Sequence, residues 1–209
     1  MLTIALSKGR LLDPTVACLR RAGVDVPDEI LDSRKLTAED PAGRYRFLLV
    51  KPMDLPTCLE YGVAAVGVCG RDVLMEVEPD VHQPLDLGFG RCHLVVAGRK
   101  GETTARHNLL STTRVATKYP RTAERFFLSR GLPVEVVYLS GSVELAPGMG
   151  LADTIVDLVE TGRTLRENGL EIMETIAEST ARLVVNRASF HMQQDEVRTL
   201  LERLRGVNP

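Results

Sequence analysis

Residues 144–165 read ELAPGMGLADTIVDLVETGRTL, and this stretch decides the fold. Its apolar run over residues 154–159 predicts a buried strand, which leads into the sequence Thr-Gly-Arg-Thr at residues 161–164. Two hydroxyls, a glycine and a cation at the start of a helix suit a phosphate, because backbone N–H groups there point at the anion. A strand that leads into such a loop is typical of α/β proteins, which bind ligands at the carboxyl ends of their strands.

Two acids, Asp153 and Asp157, lie in the same stretch. Residues four apart share one face of a helix or of a strand, so we expect the two carboxylates to lie together. Carboxylates repel a bare phosphate, but they suit a ligand that also carries hydroxyls or Mg²⁺. A sugar phosphate with a vicinal diol and a metal-bound pyrophosphate meets both demands. The alternatives are two solvated carboxylates on a polar face and a helix cap at Thr161 or Thr164.

Strand and helix patterns alternate along the whole chain, which predicts mostly parallel sheets covered by helices. The return of β segments after residue 170 predicts that the chain crosses back to the first sheet, in a two-domain, hinge-joined layout. A final helix over 191–204 has one apolar stripe, formed by Met192, Val197, Leu200, Leu201 and Leu204. The predicted strands are 2–6, 47–50, 63–68, 94–97, 115–117, 134–139, 154–159, 170–177 and 181–185, and the other predicted helices are 11–22, 53–60, 70–76 and 121–131.

Basic residues follow two further predicted strands. Lys8, Gly9 and Arg10 come after the first strand, where a pair of cations suits a triphosphate or a pyrophosphate, although a basic surface turn has the same pattern. Lys118 and Tyr119 follow the strand over 115–117. The ring of Tyr119 could stack on a base or pack in the core.

The composition excludes several classes of protein. The chain has 209 residues, a net charge of −2 and no Trp, which argues against a nucleic-acid partner. Its four cysteines have no metal-ligand spacing, so we expect free thiols and a reducing compartment. The amino terminus lacks a signal sequence and no apolar run reaches membrane-spanning length, so we expect a cytoplasmic protein that binds no membrane.

The chain resembles the ATP phosphoribosyltransferase family over nearly its whole length. Residues 144–165 are similar to the family signature, and other matching segments are 8–11, 54–57, 70–74, 89–90 and 116–120. The resemblance implies an α/β fold of two lobes, like a type II periplasmic binding protein, with mixed, mostly parallel sheets and a cleft between the lobes. It places lobe I at 1–91 and 178–209, and lobe II, which carries the phosphoribosyl pyrophosphate motif, at 92–177.

The family's reaction joins N1 of ATP to C1 of 5-phosphoribosyl 1-pyrophosphate, releases pyrophosphate, requires Mg²⁺ and begins L-histidine biosynthesis. Carried over to this sequence, the resemblance implies three sets of site residues, with the metal ligands unassigned. The catalytic set is Asp153, Asp157 and Lys8. The set for phosphoribosyl pyrophosphate is Glu144, Asp153, Asp157, Thr161, Gly162, Arg163 and Thr164. The set for ATP is Lys8, Gly9, Arg10, Arg71, Lys118 and Tyr119.

The length of the chain resembles that of the family's short form, which lacks a C-terminal regulatory domain. Short-form enzymes work with a regulatory subunit resembling histidyl-tRNA synthetase, so we expect a homodimer within a larger hetero-oligomer.

The chain departs from the family pattern at Lys51, where many relatives have an arginine that can form two hydrogen bonds to one anion. The rival interpretations are a non-catalytic solute-binding module and a base-salvaging phosphoribosyltransferase, which usually has two adjacent acids directly ahead of its phosphate loop.

Overall fold

The chain forms two units and crosses from one to the other twice. The computed structural model describes residues 1–32, 34–101 and 112–207. One unit comprises Met1–Gly90 and Thr180–Pro209, and the other comprises Arg91–Ser179. These divisions lie within two residues of the lobe boundaries that the family resemblance implies.

The elements follow one another in three runs along the chain. The first run contains β1 (Leu2–Ser7), α1 (Leu12–Arg21), α2 (Glu29–Asp32), β2 (Thr37–Glu39), β3 (Tyr45–Val50), a 3-10 turn (Pro52–Asp54), α3 (Leu55–Glu60), β4 (Val66–Gly70), α4 (Arg71–Val77) and β5 (Val81–Asp86). The second run contains β6 (Cys92–Arg99), β7 (Thr113–Thr117), α5 (Pro120–Leu128), β8 (Val134–Tyr138), a 3-10 turn (Val143–Leu145), β9 (Thr154–Val159), α6 (Arg163–Glu167) and β10 (Leu170–Ser179). The third run returns to the first unit with β11 (Ala181–Asn186), α7 (Arg187–Met192) and α8 (Gln194–Val207).

Each unit is built on one mixed sheet. The strand order is β2-β3-β1-β4-β11-β5 in the first unit and β10-β6-β9-β7-β8 in the second. The prediction of mixed, mostly parallel sheets is confirmed, because four of the six strands described in the first sheet and four of the five in the second run in one direction. The βα alternation does not reveal, however, that β11 inserts between β4 and β5 and runs antiparallel to both.

Each sheet has apolar side chains buried on both of its faces. Alternate residues of a strand point to opposite faces, so neighbouring residues enter different cores. Along β1, Leu2, Ile4 and Leu6 point into one core and Ala5 points into the other. In the second unit, Ile155 and Val156 of β9 likewise enter different cores. The two faces fix the register of each strand, because a slip of one residue would exchange every side chain between them.

The predicted final helix is two helices, α7 and α8, separated at Gln193 by a non-helical backbone conformation. Met192 therefore does not extend the apolar stripe of α8, and its side chain is 84% exposed. The remaining stripe packs into the core of the first unit and consists of Val197, Leu200, Leu201 and Leu204. None of the helices within the described ranges is long and apolar enough to cross a membrane.

Candidate active site

The predicted phosphate loop lies in the second unit, between the end of β9 and the start of α6. Gly162 occupies the N-cap position of α6, which the sequence left open to a threonine, and its φ is +71°. Glycine is favoured there by its backbone conformation, because the atom nearest to a new β-carbon, Nη1 of the exposed Arg166 at 3.0 Å, can move away. Thr161 and Thr164 are exposed on either side of this buried glycine, so their hydroxyls can reach a ligand.

Arg163, the cation of the loop, lies on the surface of α6. Its Nε donates a 2.8 Å hydrogen bond to Oε1 of Glu167, one helical turn later. Both side chains are mostly exposed, so the pair adds little to stability. An incoming phosphate would have to compete with Glu167 for this guanidinium.

The structure does not bring the two predicted carboxylates together. Asp153 precedes β9 and accepts a 2.8 Å hydrogen bond from the backbone N–H of Arg114, while its own N–H donates to the Arg114 carbonyl at 2.9 Å. Asp157 lies in β9, close to its carboxyl end. Four residues along a strand span about 13 Å, so sharing a face does not make the two side chains neighbours. The expectation that they lie together is wrong.

Asp157 shares the carboxyl edge of the second sheet with the phosphate loop. It lies on the strand face that carries the buried Ile155 and Val159, and its own side chain is half-buried. Its Oδ1 accepts a 2.8 Å hydrogen bond from the N–H of Leu158, which orients the carboxylate. Asp153 lies at the opposite, amino end of β9, where it joins the strand to the beginning of β7.

Lys118 belongs to the same edge of the sheet as Asp157. The strands β7 and β9 are parallel neighbours with Thr117 opposite Val156, so the residue after β7 is level with Asp157. Thr117 holds this turn, because its hydroxyl donates to the Val156 carbonyl at 2.6 Å and accepts from the N–H of Tyr119 at 2.9 Å. The sequence shows that Thr117 ends a strand, but it does not show this anchoring role.

Tyr119 cannot stack on a base, because its side chain is only 1% exposed. Its ring packs in the core of the second unit with Phe126 and Phe127. The ammonium of Lys118 lies 5.0 Å from the centre of this ring, a cation–π contact that directs the lysine side chain. The packing alternative for Tyr119 is therefore correct.

Glu144 lies on the short 3-10 turn before the phosphate loop's strand and is half-buried. Two arginines hold the segment that follows. Arg99 donates to the carbonyl of Pro147, and Arg114 donates to the carbonyl of Gly150 at 3.1 Å. These contacts order a turn that the Pro-Gly sequence alone would leave free to adopt several conformations.

The other basic cluster lies in the first unit, at the carboxyl ends of β1 and β4. These strands are parallel neighbours, so the residues that follow them meet at one edge of the sheet. Lys8, Gly9 and Arg10 follow β1, with Gly9 at φ +90°, and Arg71 begins α4 directly after β4. Lys8, Arg10 and Arg71 all have exposed side chains. The predicted ATP set is thus divided, since Lys118 and Tyr119 belong to the second unit.

Asp72 and Gly90 contact Arg10 of this basic cluster, which the sequence did not predict. Nη1 of Arg10 donates a 2.7 Å hydrogen bond to the Gly90 carbonyl, and Nη2 lies 3.8 Å from Oδ1 of Asp72. A signal for Asp72 was its position directly after Arg71, but nothing in the sequence links it to Arg10.

Comparisons with known proteins agree with these observations. The family described as HisG, ATP phosphoribosyltransferase, matches residues 51–206. An ATP phosphoribosyltransferase of Geobacillus kaustophilus is 52% identical over 209 residues, which cover 100% of this chain and 99% of that protein. One from Sorangium cellulosum is 50% identical over 206 residues, with 99% and 95% covered.

Solved structures give the same result. The ATP phosphoribosyl transferase (HisG:HisZ) complex from Thermotoga maritima contains a chain that superposes with a TM-score of 0.86 at 38% identity, covering 99% of this chain and 98% of that one. The periplasmic aliphatic sulphonate binding protein SsuA from Escherichia coli superposes with a TM-score of 0.61 at 12% identity, covering 99% and 72%. The second likeness concerns the fold alone and confirms the predicted resemblance to periplasmic binding proteins.

Proposed function

The chain belongs to the ATP phosphoribosyltransferase family, whose reaction joins N1 of ATP to C1 of phosphoribosyl pyrophosphate in the first step of histidine biosynthesis, and from this premise we propose how its residues act. One observation carries the proposal. Asp157, Lys118 and the loop at 161–164 share the carboxyl edge of one sheet, where an α/β protein binds its ligand. This edge binds phosphoribosyl pyrophosphate.

The loop at 161–164 holds the 5-phosphate of that substrate through backbone N–H groups and the hydroxyls of Thr161 and Thr164. Asp157 accepts hydrogen bonds from the ribose 2- and 3-hydroxyls, because an ionised carboxylate is an acceptor with two oxygens. Lys118 balances the charge of the diphosphate. Glu144, ahead of the same strand, remains a candidate for the ribose side of this site.

Substitution at C1 passes through an oxocarbenium-like state, as in glycoside chemistry. ATP is itself the nucleophile, so the chain supplies no covalent intermediate. Its contribution is to orient the sugar and to stabilise the charge that develops on the leaving pyrophosphate. In the first unit, Lys8, Gly9, Arg10 and Arg71 form the proposed site for the ATP triphosphate.

Mg²⁺ reaches the enzyme as the metal complex of its pyrophosphate substrate. Within the described ranges, no group of three His, Cys, Asp or Glu side chains could hold a metal ion by itself. The donor set nevertheless fits, because Mg²⁺ keeps several waters and binds through one or two carboxylates together with substrate phosphates. Asp157 is the carboxylate at the proposed edge that can contact the hydrated ion.

The test makes the same change, aspartate to asparagine, at the two ends of β9. Asp157→Asn should lower kcat by about 10²-fold or more, the loss expected when the group that orients the sugar is removed and the substrate is misplaced. Asp153→Asn is the control, because it changes the pairing at the far end of β9 and should leave kcat near the wild-type value. Formation of phosphoribosyl-ATP is followed by absorbance, with circular dichroism to verify folding. Equal turnover in the two variants would remove Asp157 from the mechanism.

We propose further that the chain works as a homodimer within a hetero-oligomer that contains a regulatory subunit resembling histidyl-tRNA synthetase. The Thermotoga maritima structure, a HisG:HisZ complex, supports a hetero-oligomer with a second kind of subunit. The assay is therefore run with and without such a subunit. Product in either case contradicts a binding module, and product with ATP but not with free bases contradicts a base-salvaging enzyme.

We propose a cytoplasmic location. Four cysteines, Cys18, Cys58, Cys69 and Cys92, are free thiols, which suits a reducing compartment. Fractionation of cells that express the full chain tests this, and recovery with a secreted fraction would contradict it.

A further inference from the structure

Three segments of the first unit meet at the guanidinium of Arg10, which lies beside the buried carboxylate of Asp72. The side chain of Asp72 is only 5% exposed, and its Oδ1 lies 3.8 Å from Nη2 of Arg10. The same guanidinium donates through Nη1 to the Gly90 carbonyl at 2.7 Å. Arg10 therefore joins the loop after β1 to the start of α4 and to the backbone at Gly90.

The space around these contacts admits no additional atoms. A β-carbon on Gly70 would lie 2.3 Å from Oδ1 of Asp72. A β-carbon on Gly90 would lie 2.3 Å from Cδ2 of Leu11 and 3.3 Å from Nη1 of Arg10. Both glycines let the carboxylate and the guanidinium occupy their positions, so the arrangement depends on exact packing and not on charge alone.

The charge of Asp72 affects the pKa of a neighbouring side chain. Burial and, secondarily, the charge of Asp72 raise the pKa of the Cys69 thiol, which therefore stays neutral. A buried carboxylate requires a partner, since an uncompensated buried charge is strongly destabilising. Arg10 serves as such a partner while 37% of its side chain stays exposed at the edge of the sheet.

The residues that Asp72 orders are adjacent to the proposed phosphate ligands. Lys8 and Gly9 directly precede Arg10, and Arg71 directly precedes Asp72. We propose that Asp72 is a positioning residue that acts through Arg10 and holds the Lys8–Arg10 loop in the conformation that binds the ATP triphosphate. This inference rests on the proposed role of that loop in ATP binding.

A purely stabilising ion pair would have the same geometry, so the first test uses a matched control. Asp40 is another buried carboxylate of this unit: it pairs with Arg44 at 3.5 Å and accepts a 2.6 Å hydrogen bond from the N–H of Tyr45. It lies at the amino end of β3, on the side of the sheet opposite to the carboxyl end of β1 that leads to Arg10. Asp40→Asn removes a similar charge from a similar environment without touching the proposed site.

Steady-state kinetics of the full chain, assembled with its regulatory subunit, separate the two explanations. Asp72→Asn should raise KM for ATP by about tenfold or more, because a displaced positioning group weakens every contact that depends on it. Asp40→Asn should change KM for ATP by less than about twofold, as expected for an independent site. An equal change in KM for both variants overturns the inference.

Gly70→Ala provides a second route if Asp72→Asn folds poorly. Gly70 has φ −69°, a conformation open to alanine, so the substitution introduces no backbone strain. Its new methyl group must displace the Asp72 carboxylate, and KM for ATP should rise without any change of charge. An unchanged KM in Gly70→Ala overturns the inference.

A double substitution tests whether Asp72 acts through Arg10. Arg10→Met should raise KM for ATP, and adding Asp72→Asn should raise it by less than about twofold further, because coupled residues are not additive. The full tenfold effect of Asp72→Asn in the Arg10→Met background overturns the inference.

Lys8→Met tests the role of the Lys8–Arg10 loop in ATP binding, on which the inference rests. If it leaves KM for ATP unchanged, the proposed ATP site and the inference both fail; if it raises KM while Asp72→Asn does not, the inference alone fails.

Discussion

Gly90→Ala should be among the most destabilising glycine substitutions in the first unit, for two separable reasons. Gly90 has φ +65°, a left-handed conformation that costs a residue with a β-carbon about 1–2 kcal/mol. The new methyl group would also lie 2.3 Å from Cδ2 of Leu11, and relieving such an overlap in a packed interior costs about 1–3 kcal/mol. The expected decrease in the free energy of unfolding is therefore about 2–5 kcal/mol.

Gly43→Ala is the control, because Gly43 has the same φ of +65° but no atom within 4 Å of a new β-carbon. It should cost only the backbone strain of about 1–2 kcal/mol, so the difference between the two variants isolates the contact with Leu11. Equilibrium urea unfolding is followed by far-ultraviolet circular dichroism, since the chain has no Trp for fluorescence. An equal loss of stability in the two variants would refute the packing argument.

Thr161→Ala should raise KM for phosphoribosyl pyrophosphate by about tenfold or more with KM for ATP unchanged, because a lost hydrogen bond to a charged group costs about 1.5–3 kcal/mol; equal increases for both substrates would contradict a dedicated phosphate loop. Cys69→Ala should flatten the alkaline loss of stability. Burial, with the charge of Asp72, raises the pKa of the folded thiol, whereas the unfolded thiol titrates near pH 8.5. Above that pH the unfolded state binds fewer protons, so the free energy of unfolding falls by about 1.4 kcal/mol per pH unit, and urea unfolding at pH 8 to 10 should show this slope in the wild type alone. Asn186→Ala should cost about 2 kcal/mol, since Asn186 caps α7 and donates a buried 2.7 Å hydrogen bond to the Leu59 carbonyl; a thermal unfolding midpoint equal to that of the wild type would contradict this.

The strands with regular apolar patterns were predictable from the sequence, whereas two edge strands were not. β5 contains Pro84, which the pattern rules for a central strand would exclude. The structure places β5 at the edge of the first sheet, where proline is tolerated. β2 has only three residues and also lies at an edge, so it lacks a period long enough to detect.

The candidate site was predictable where its residues are close in the sequence. The loop at 161–164 and its glycine follow directly from one strand, so local chemistry identifies them. Asp153 and Asp157 show where such reasoning stops, because periodicity reports a shared face and not the distance along the strand. Tyr119 shows the same limit, since a tyrosine at a strand end can face the ligand or the core, and here it packs in the core.

The sequence by itself determined the α/β class, the positions of the main strands and the family, and it singled out the loop at 161–164. Only the tertiary structure decided the strand order, the antiparallel direction of β11, the grouping of Lys118 with that loop and the joining of Arg10 to Asp72 and Gly90. Arg10 and Gly90 are 80 positions apart, and they meet because β1 and β5 run in the same direction and their carboxyl ends lie on one side of the first sheet. Periodicity encodes which face of an element is buried, whereas the neighbours of that element depend on sheet order, which is set by long-range packing.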